Sequence, residues 1–224
     1  YTAQKSIHEK ESGLMLNKIK QFFKGFLTMW GPRQNFKLGL YGPPNSGKTT
    51  LANKICIDWL GEEMGKVSPV PHETREVNIK EKVTIKAKDG RELIFNLVDT
   101  PGIATKIDYE DFMKTGMPAT KAKKRAREAT KGVIESIKWL DEVDTVLVVL
   151  DGTQDPYSQV NVTIIGNLAA RNIPVLIVAN KADLKKYKVK KVQSAFPQYE
   201  VLGISAKYGK NIDKLYEKLF ELAK

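Results

Sequence analysis

Apolar residues in this chain recur in two rhythms, and the rhythms alternate. Short, nearly continuous apolar runs occupy residues 36–41, 93–98, 145–150, 175–179 and 201–204. Runs of that length, bounded by polar or Gly/Pro residues, read as strands. Residues 75–87 alternate instead, with Val77, Ile79, Val83, Ile85 and Ala87 on one face. Asp89-Gly90 then gives a tight hairpin turn into the 93–98 strand. Between the strands the spacing turns helical: just after residue 49, over 120–140, over 159–171 and over 211–222. In the 120–140 helix, Ala122, Ala126, Ala129, Val133, Ile137 and Leu140 form the expected buried stripe. Lys121, Lys124, Arg125, Lys131 and Lys138 are expected on the opposite side, either solvated or meeting RNA phosphates or another partner. In the last helix Ile212, Leu215, Leu219 and Leu222 are expected to point inward.

This alternation predicts a three-layer α/β fold: a mostly parallel six-stranded sheet with one antiparallel strand, and helices on both faces. Two longer stretches interrupt it. Residues 61–72 hold Gly61, Gly65, Pro69 and Pro71, and residues 103–119 hold Gly116 and Pro118, so both read as loops. One more helix precedes the first strand. Its apolar positions are Met15, Ile19, Phe22, Phe23, Phe26 and Trp30; Lys18, Lys20 and Lys24 take other faces, and Gly31-Pro32 ends it. The chain is therefore expected to divide into a basic amphipathic extension, 1–34, and an α/β domain, 35–224. The extension has three candidate roles: a cover docked on the domain, a helix lying on an anionic membrane, or a contact for RNA or a protein partner.

Candidate chemistry sits where the strands end. Residues 42–49, Gly-Pro-Pro-Asn-Ser-Gly-Lys-Thr, fill the phosphate-loop pattern G-x-x-x-x-G-K-[ST], between a strand and a helix as that motif requires. Gly42 and Gly47 let backbone amides turn toward an anion, Lys48 reaches the β- and γ-phosphates, and the Thr49 hydroxyl is placed to ligate Mg²⁺. Pro44, Asn45, Ser46, Gly47, Lys48, Thr49 and Thr50 make up the expected phosphate-binding set. Asp99-Thr100-Pro101-Gly102 closes the 93–98 strand. Asp99 is a candidate to hold Mg²⁺ through water, and the Gly102 amide to meet the γ-phosphate. Asn180-Lys181-Ala182-Asp183 closes the 175–179 strand. A carboxylate at Asp183 matches the paired donors of guanine, N1–H and the exocyclic amine, and adenine lacks that pair. The Lys181 stem is expected along the purine face. Ser205-Ala206-Lys207 follows the last strand and offers backbone amides to guanine O6. All of these lie at the carboxyl ends of strands, where open α/β sheets bind ligands. The expected ligand is GTP or GDP with Mg²⁺.

With these motifs in place, the chain resembles TRAFAC-class GTPases, most closely the Era/TrmE branch, over about residues 35–224. The Pro44-Asn45 pair in the phosphate loop, the segment His72-Glu73-Thr74-Arg75-Glu76 and the proline of Asp99-Thr100-Pro101-Gly102 support the resemblance. The resemblance implies GTP hydrolysis used as a conformational switch. It assigns Thr74 to the first switch segment, as a Mg²⁺ ligand and γ-phosphate sensor. The alternative for Thr74 is a surface strand threonine. It also implies that Asn45 helps ligate K⁺ beside the phosphates; otherwise Asn45 only tightens the loop. The catalytic set implied is Lys48, Thr74, Gly102 and Asn45, with Thr49, Thr74 and Asp99 on the metal. Ile103 departs from the Ras-like glutamine that orients the attacking water, so turnover is expected to be slow without K⁺ or an activating partner. Bacterial Era continues into an RNA-binding KH domain. Here only one helix follows Ser205-Ala206-Lys207, with no GXXG clamp, so RNA would have to be met by basic patches. Some K⁺-activated relatives pair two domains face to face, which makes a nucleotide-dependent homodimer a further expectation.

Composition narrows the setting. The 224 residues are 42% apolar and 28% charged, ordinary for a soluble protein. A single cysteine, Cys56, excludes a disulfide framework, and His8 and His72 are too few and too far apart for a metal site. No apolar run spans a membrane and no secretory pattern opens the chain, so a cytoplasmic protein is expected, with peripheral membrane association left to residues 13–30. The net charge is +11, and Lys185, Lys186, Lys188, Lys190 and Lys191 form a basic patch around Tyr187. That balance suits ribosomal RNA or an anionic membrane as a partner.

Overall fold

The computed structural model describes residues 36–65, 76–104 and 106–223. Thr74 and the 13–30 helix lie outside the described residues. The elements run β1 (Lys37–Tyr41), α1 (Lys48–Leu60), β2 (Asn78–Lys86), β3 (Glu92–Asp99), α2 (Tyr109–Met113), α3 (Ala119–Lys138), β4 (Thr145–Asp151), α4 (Gln159–Ala170), β5 (Val175–Asn180), α5 (Val189–Ala195), β6 (Val201–Gly203) and α6 (Ile212–Leu222). A 3₁₀ turn, Trp139–Asp141, extends α3. The strands form one sheet in the order β2-β3-β1-β4-β5-β6. Every pairing is parallel except β2 with β3.

The continuous apolar runs are explained by burial on both sides of this sheet. Leu38, Leu40, Leu147 and Val149 face one core, shared with Leu51 and Ile55 of α1 and Leu215 and Leu219 of α6. Tyr41, Val146, Val148 and Leu150 face the other, shared with Leu140 of the 3₁₀ turn and Ile164 and Leu168 of α4. β1 pairs with β3 on one side and β4 on the other. Chain connections leave in opposite directions from this point, so the loop after β1 opens into the crevice where such sheets bind ligands.

Three expectations need correction. Ile79 does not share a face with Val83. Between Lys80 and Val83 the β2–β3 register slips by one residue, and Lys82 takes φ 55°. Such a bulge reverses the side-chain alternation. Val83 and Ile85 are therefore in the core, while Ile79 is 44% exposed. The second correction concerns α3. Its buried positions are Ala122, Arg125, Ala129, Gly132 and Ser136, so Arg125 lies on the inner face and Ile137 is exposed. Small residues let this helix approach its neighbours closely. The 103–119 stretch is also less irregular than expected, because Asp108 caps the short helix α2 by accepting from the Glu110 amide.

Candidate functional site

The phosphate loop leaves β1 through two glycines that no other residue could replace without movement. A Cβ on Gly42 would overlap the Val149 carbonyl oxygen, and one on Gly47 would overlap the Asn180 amide. Gly47 also has φ +94°, in the left-handed region. Between them Asn45 is exposed and left-handed, while Ser46 is fully buried. Lys48 opens α1 and folds back over the loop, its Nζ donating to Pro43 O at 2.9 Å and Gly42 O at 3.2 Å. Burial lowers its pKa to about 8, against the pull of the Asp99 carboxylate.

Asp99 ends β3 beside β1, in register with Leu40. Thr49 Oγ1 donates to its Oδ2 at 2.8 Å. Its Oδ1 is buried and finds no hydrogen-bond partner among the described residues. Burial raises the Asp99 pKa to about 6, with the Thr49 hydrogen bond and the Lys48 charge opposing. A buried carboxylate oxygen without a donor, next to a threonine hydroxyl and an anion-binding loop, fits a hard divalent cation held mainly by phosphate and water oxygens. No group of three His, Cys, Asp or Glu side chains forms a separate metal site among the described residues. Gly102 passes so close to the loop that a Cβ there would lie 2.7 Å from Pro44 Cα. The next residue, Ile103, is 6% exposed and donates its amide to Gly42 O at 3.1 Å.

The other wall is built around Asn180, at the end of β5. Its Nδ2 donates to Ser46 O at 3.0 Å and its Oδ1 accepts from the Ala206 amide at 3.0 Å. One buried side chain thus fastens the phosphate loop to the loop after β6. Asp183 Oδ1 accepts from Ser205 Oγ at 2.6 Å, which orients the carboxylate. Lys207 is exposed beside Tyr208. Gly47, Thr50, Asn180, Lys181, Asp183, Ala206 and Lys207 line a cleft of about 620 Å³. The structure therefore brings together Pro44 to Thr50, Asp99, Gly102, Asn180, Lys181, Asp183 and Ser205 to Lys207 along one sheet edge. The Ala206 amide, expected toward guanine O6, is engaged by Asn180.

Three participants escaped the sequence. Asp151 lies opposite Asn180 in the β4–β5 register, and its Oδ2 accepts from Lys181 Nζ at 2.7 Å. Burial pushes the Asp151 carboxyl up, but the hydrogen bonds from Lys181 and Thr153 outweigh it and hold the group below the usual range. The signal was present: Asp151, like Asp99 and Asn180, is a polar residue closing an apolar run. Asn53 lies one turn beyond Thr49 on α1. It accepts from the Met64 and Gly65 amides at 2.9 Å and donates to Gly65 O at 2.7 Å, which anchors the entry to segment 66–75. Ser136 of α3 is fully buried, and its single proton is shared between Gly132 O at 2.8 Å and Pro101 O at 3.1 Å.

A family model described as 50S ribosome-binding GTPase matches residues 37–181. A GTPase Era of Clostridium botulinum (strain Hall) is 34% identical over 194 residues, which cover 83% of this chain and 56% of the relative. A GTPase Der of Thermotoga petrophila is 33% identical over 193 residues, 82% of this chain and 38% of the relative. A tRNA modification GTPase MnmE of Chlorobium chlorochromatii is 29% identical over 188 residues, 80% of this chain and 33% of the relative. The chain thus spans a third to just over half the length of these relatives. In structure it resembles an Aquifex aeolicus Era variant bound to GDP·AlF₄⁻, with TM-score 0.63 and 24% identity over 83% of this chain and 56% of that one. An Era in complex with MgGDPNP and nucleotides 1506–1542 of 16S ribosomal RNA gives TM-score 0.64 and 22% identity over 84% of this chain and 57% of that one. These two likenesses establish the P-loop α/β fold. By the match over residues 37–181, the chain belongs to the family of P-loop GTPases described as 50S ribosome-binding GTPases.

Proposed function

We propose that residues 35–224 form a GTP-binding domain that hydrolyses GTP to GDP and phosphate with Mg²⁺ and works as a conformational switch, with residues 1–34 as an appendage. The observation behind this reading is the Asn180 tie between Ser46 and Ala206, with Asp183 oriented by Ser205. It supports a guanine site joined rigidly to a phosphate site. Asp183 would accept from the two guanine donors, and Lys181, steadied by Asp151, would lie along the base. Loop amides from Pro44 to Thr50 and the Lys48 ammonium would hold the phosphates. Thr49, Asp99 and Thr74 would hold Mg²⁺, which when bound neutralises charge on the phosphate oxygens. Lys48 and the Gly102 amide would stabilise the transferred phosphoryl group.

Ile103 is the observation that favours a second reading. Its side chain is apolar and buried, and its amide is spent on Gly42, so it does not orient water. Hydrolysis then needs another group. We assign that to K⁺ held by the exposed Asn45. The alternative is a regulatory GTP-binding module with negligible hydrolysis of its own. Single-turnover hydrolysis in KCl against NaCl, at equal ionic strength, separates them. Acceleration specific to K⁺ and lost in Asn45→Ala supports the first. Equal, near-zero rates in both salts support the second.

As partner we propose ribosomal RNA, in a cytoplasmic setting. The family description and the RNA-bound Era relative support that choice, and the net charge of +11 is consistent with it. No helix among the described residues is long and apolar enough to cross a membrane. The basic segment 13–30 is proposed as a contact for an anionic membrane or a protein. Vesicle co-sedimentation of the full chain tests it, with loss on Phe23→Glu as the supporting result. Sedimentation velocity with GDP·AlF₄⁻ and K⁺ tests for a nucleotide-dependent homodimer.

A further inference from the structure

We propose that the exposed basic face of α3 docks the sugar-phosphate backbone of RNA. This deepens the RNA partnership proposed above and rests on it. The helix carries seven Lys/Arg and two Glu over Ala119–Lys138. Lys121, Lys123, Lys124, Arg127 and Lys131 are all exposed and crowd its first two-thirds. Lys123, Arg127 and Lys131 follow one another at intervals of four residues, a row with a pitch of about 6 Å.

Helix stability does not account for this arrangement. Like charges four residues apart repel. Cations near a helix N-terminus also oppose the backbone dipole, and the first turn of α3 holds no acidic residue. Pro118 at the N-cap offers no side-chain hydrogen bond in compensation. Among the described residues, Lys121, Lys124, Arg127 and Lys131 have no carboxylate within salt-bridge distance, and Lys123 sits over the Tyr109 ring at 5.4 Å. A linear polyanion would relieve both the mutual repulsion and the dipole mismatch. A regular row of single charges matches a backbone that repeats one charge per nucleotide.

Two alternatives fit less well. A membrane helix lays an apolar side into the headgroups. Here the inner side, Ala122, Ala129, Gly132 and Ser136, is already packed on the protein, so the 121–131 stretch presents charged and polar side chains and no large apolar one. The other basic patch surrounds a cleft of about 500 Å³ between Gly152–Asp155 and Lys185–Lys191. There Asp155 already holds Lys191 at 3.0 Å, and Tyr187 is turned inward, donating to Ala179 O at 3.2 Å.

The test is fluorescence anisotropy of the full chain with labelled 16S ribosomal RNA and poly(U), over a salt series. Thermal melts and fluorescent GDP binding confirm that each variant is folded. Lys123→Glu/Arg127→Glu/Lys131→Glu should lose at least about 30-fold in affinity for both RNAs. The milder Lys123→Gln/Arg127→Gln/Lys131→Gln should flatten the slope of log K against log salt by about 2 to 3, at roughly 0.7–0.9 for each phosphate no longer neutralised. Wild-type affinity in both α3 variants, with loss in Lys185→Glu/Lys186→Glu/Lys188→Glu, would overturn the α3 surface and leave the RNA partnership standing. So would an α3 variant that keeps RNA and loses phosphatidylserine vesicles. No salt-sensitive binding of either RNA by the wild type would remove the partnership itself, and the α3 surface with it.

Discussion

The phosphate loop has two unlike neighbours. On the β4–β6 side the contacts are short and linked: buried Asn180 reaches both Ser46 and Ala206, and the part-buried pairs Ser205–Asp183 and Asp151–Lys181 fix the neighbouring side chains. On the β3–α3 side Thr100 and Ile103 still bond to Leu40 O and Gly42 O and Gly102 packs on Pro44, but beyond Ile103 the segment rests on a small satellite core of Phe112, Ala122 and Ala129, and α3 reaches Pro101 through one shared hydroxyl proton from Ser136. The first side resembles a fixed template and the second a removable one. Recognition of the base needs groups that stay put when the ligand changes, since discrimination comes from leaving a polar group unpaired against the wrong base. Response to the γ-phosphate needs an element whose two arrangements differ little in free energy. In the proposed reading, the same sheet edge supplies both by tying one flank tightly and the other lightly.

The largest effect should come from the fixed side. Asp183→Asn replaces the proposed acceptor for two guanine donors with a group that suits xanthine, whose C2 bears a carbonyl. Competition titration should give a GTP affinity lower by about 10³-fold and a gain for XTP. Asn180→Ala comes next. It strands the Ser46 carbonyl and the Ala206 amide, each costing about 1–3 kcal/mol, so GDP and GTP should weaken alike in calorimetric titration. Gly42→Ala forces a methyl onto the Val149 carbonyl, which is backbone and cannot swing away. Urea unfolding should report a loss of about 1–3 kcal/mol. Gly166→Ala is the contrast: that Cβ meets nothing within 4 Å in α4, so stability should rise by about 0.4–1 kcal/mol. Ser136→Ala, on the light side, should cost only about 0.5–1.5 kcal/mol in the same urea experiment. Equal unfolding costs in urea for Asn180→Ala and Ser136→Ala would erase the distinction between the two sides.

Much of the site was legible because its chemistry sits in contiguous motifs at strand ends. Residues 42–49, 99–102, 180–183 and 205–207 each follow an apolar run, and the fold only had to gather those ends on one edge. Element types were legible for the same reason, since burial on both faces makes continuous runs and a half-exposed helix makes a periodic one. What escaped depends on pairings between distant residues. The β2 bulge follows from Lys82 adopting φ 55°, which no lysine announces. Arg125 was assigned to solvent by its charge, yet α3 turns its inner face by about one position relative to the apolar count, because Gly132 and Ser136 pack inward as small residues. The Asp151–Lys181 and Asn53–Gly65 contacts join elements that the sequence orders but does not place side by side.

The most direct test of this division is hydrogen exchange, followed by mass spectrometry, on the GDP-bound and GMPPNP-bound protein. The account predicts a change in protection concentrated around Thr74 and in residues 99–138, with β5, Asn180 to Asp183 and Ser205 to Lys207 equally protected in both states. A difference spread evenly over both flanks, or one confined to residues 175–207, would contradict it.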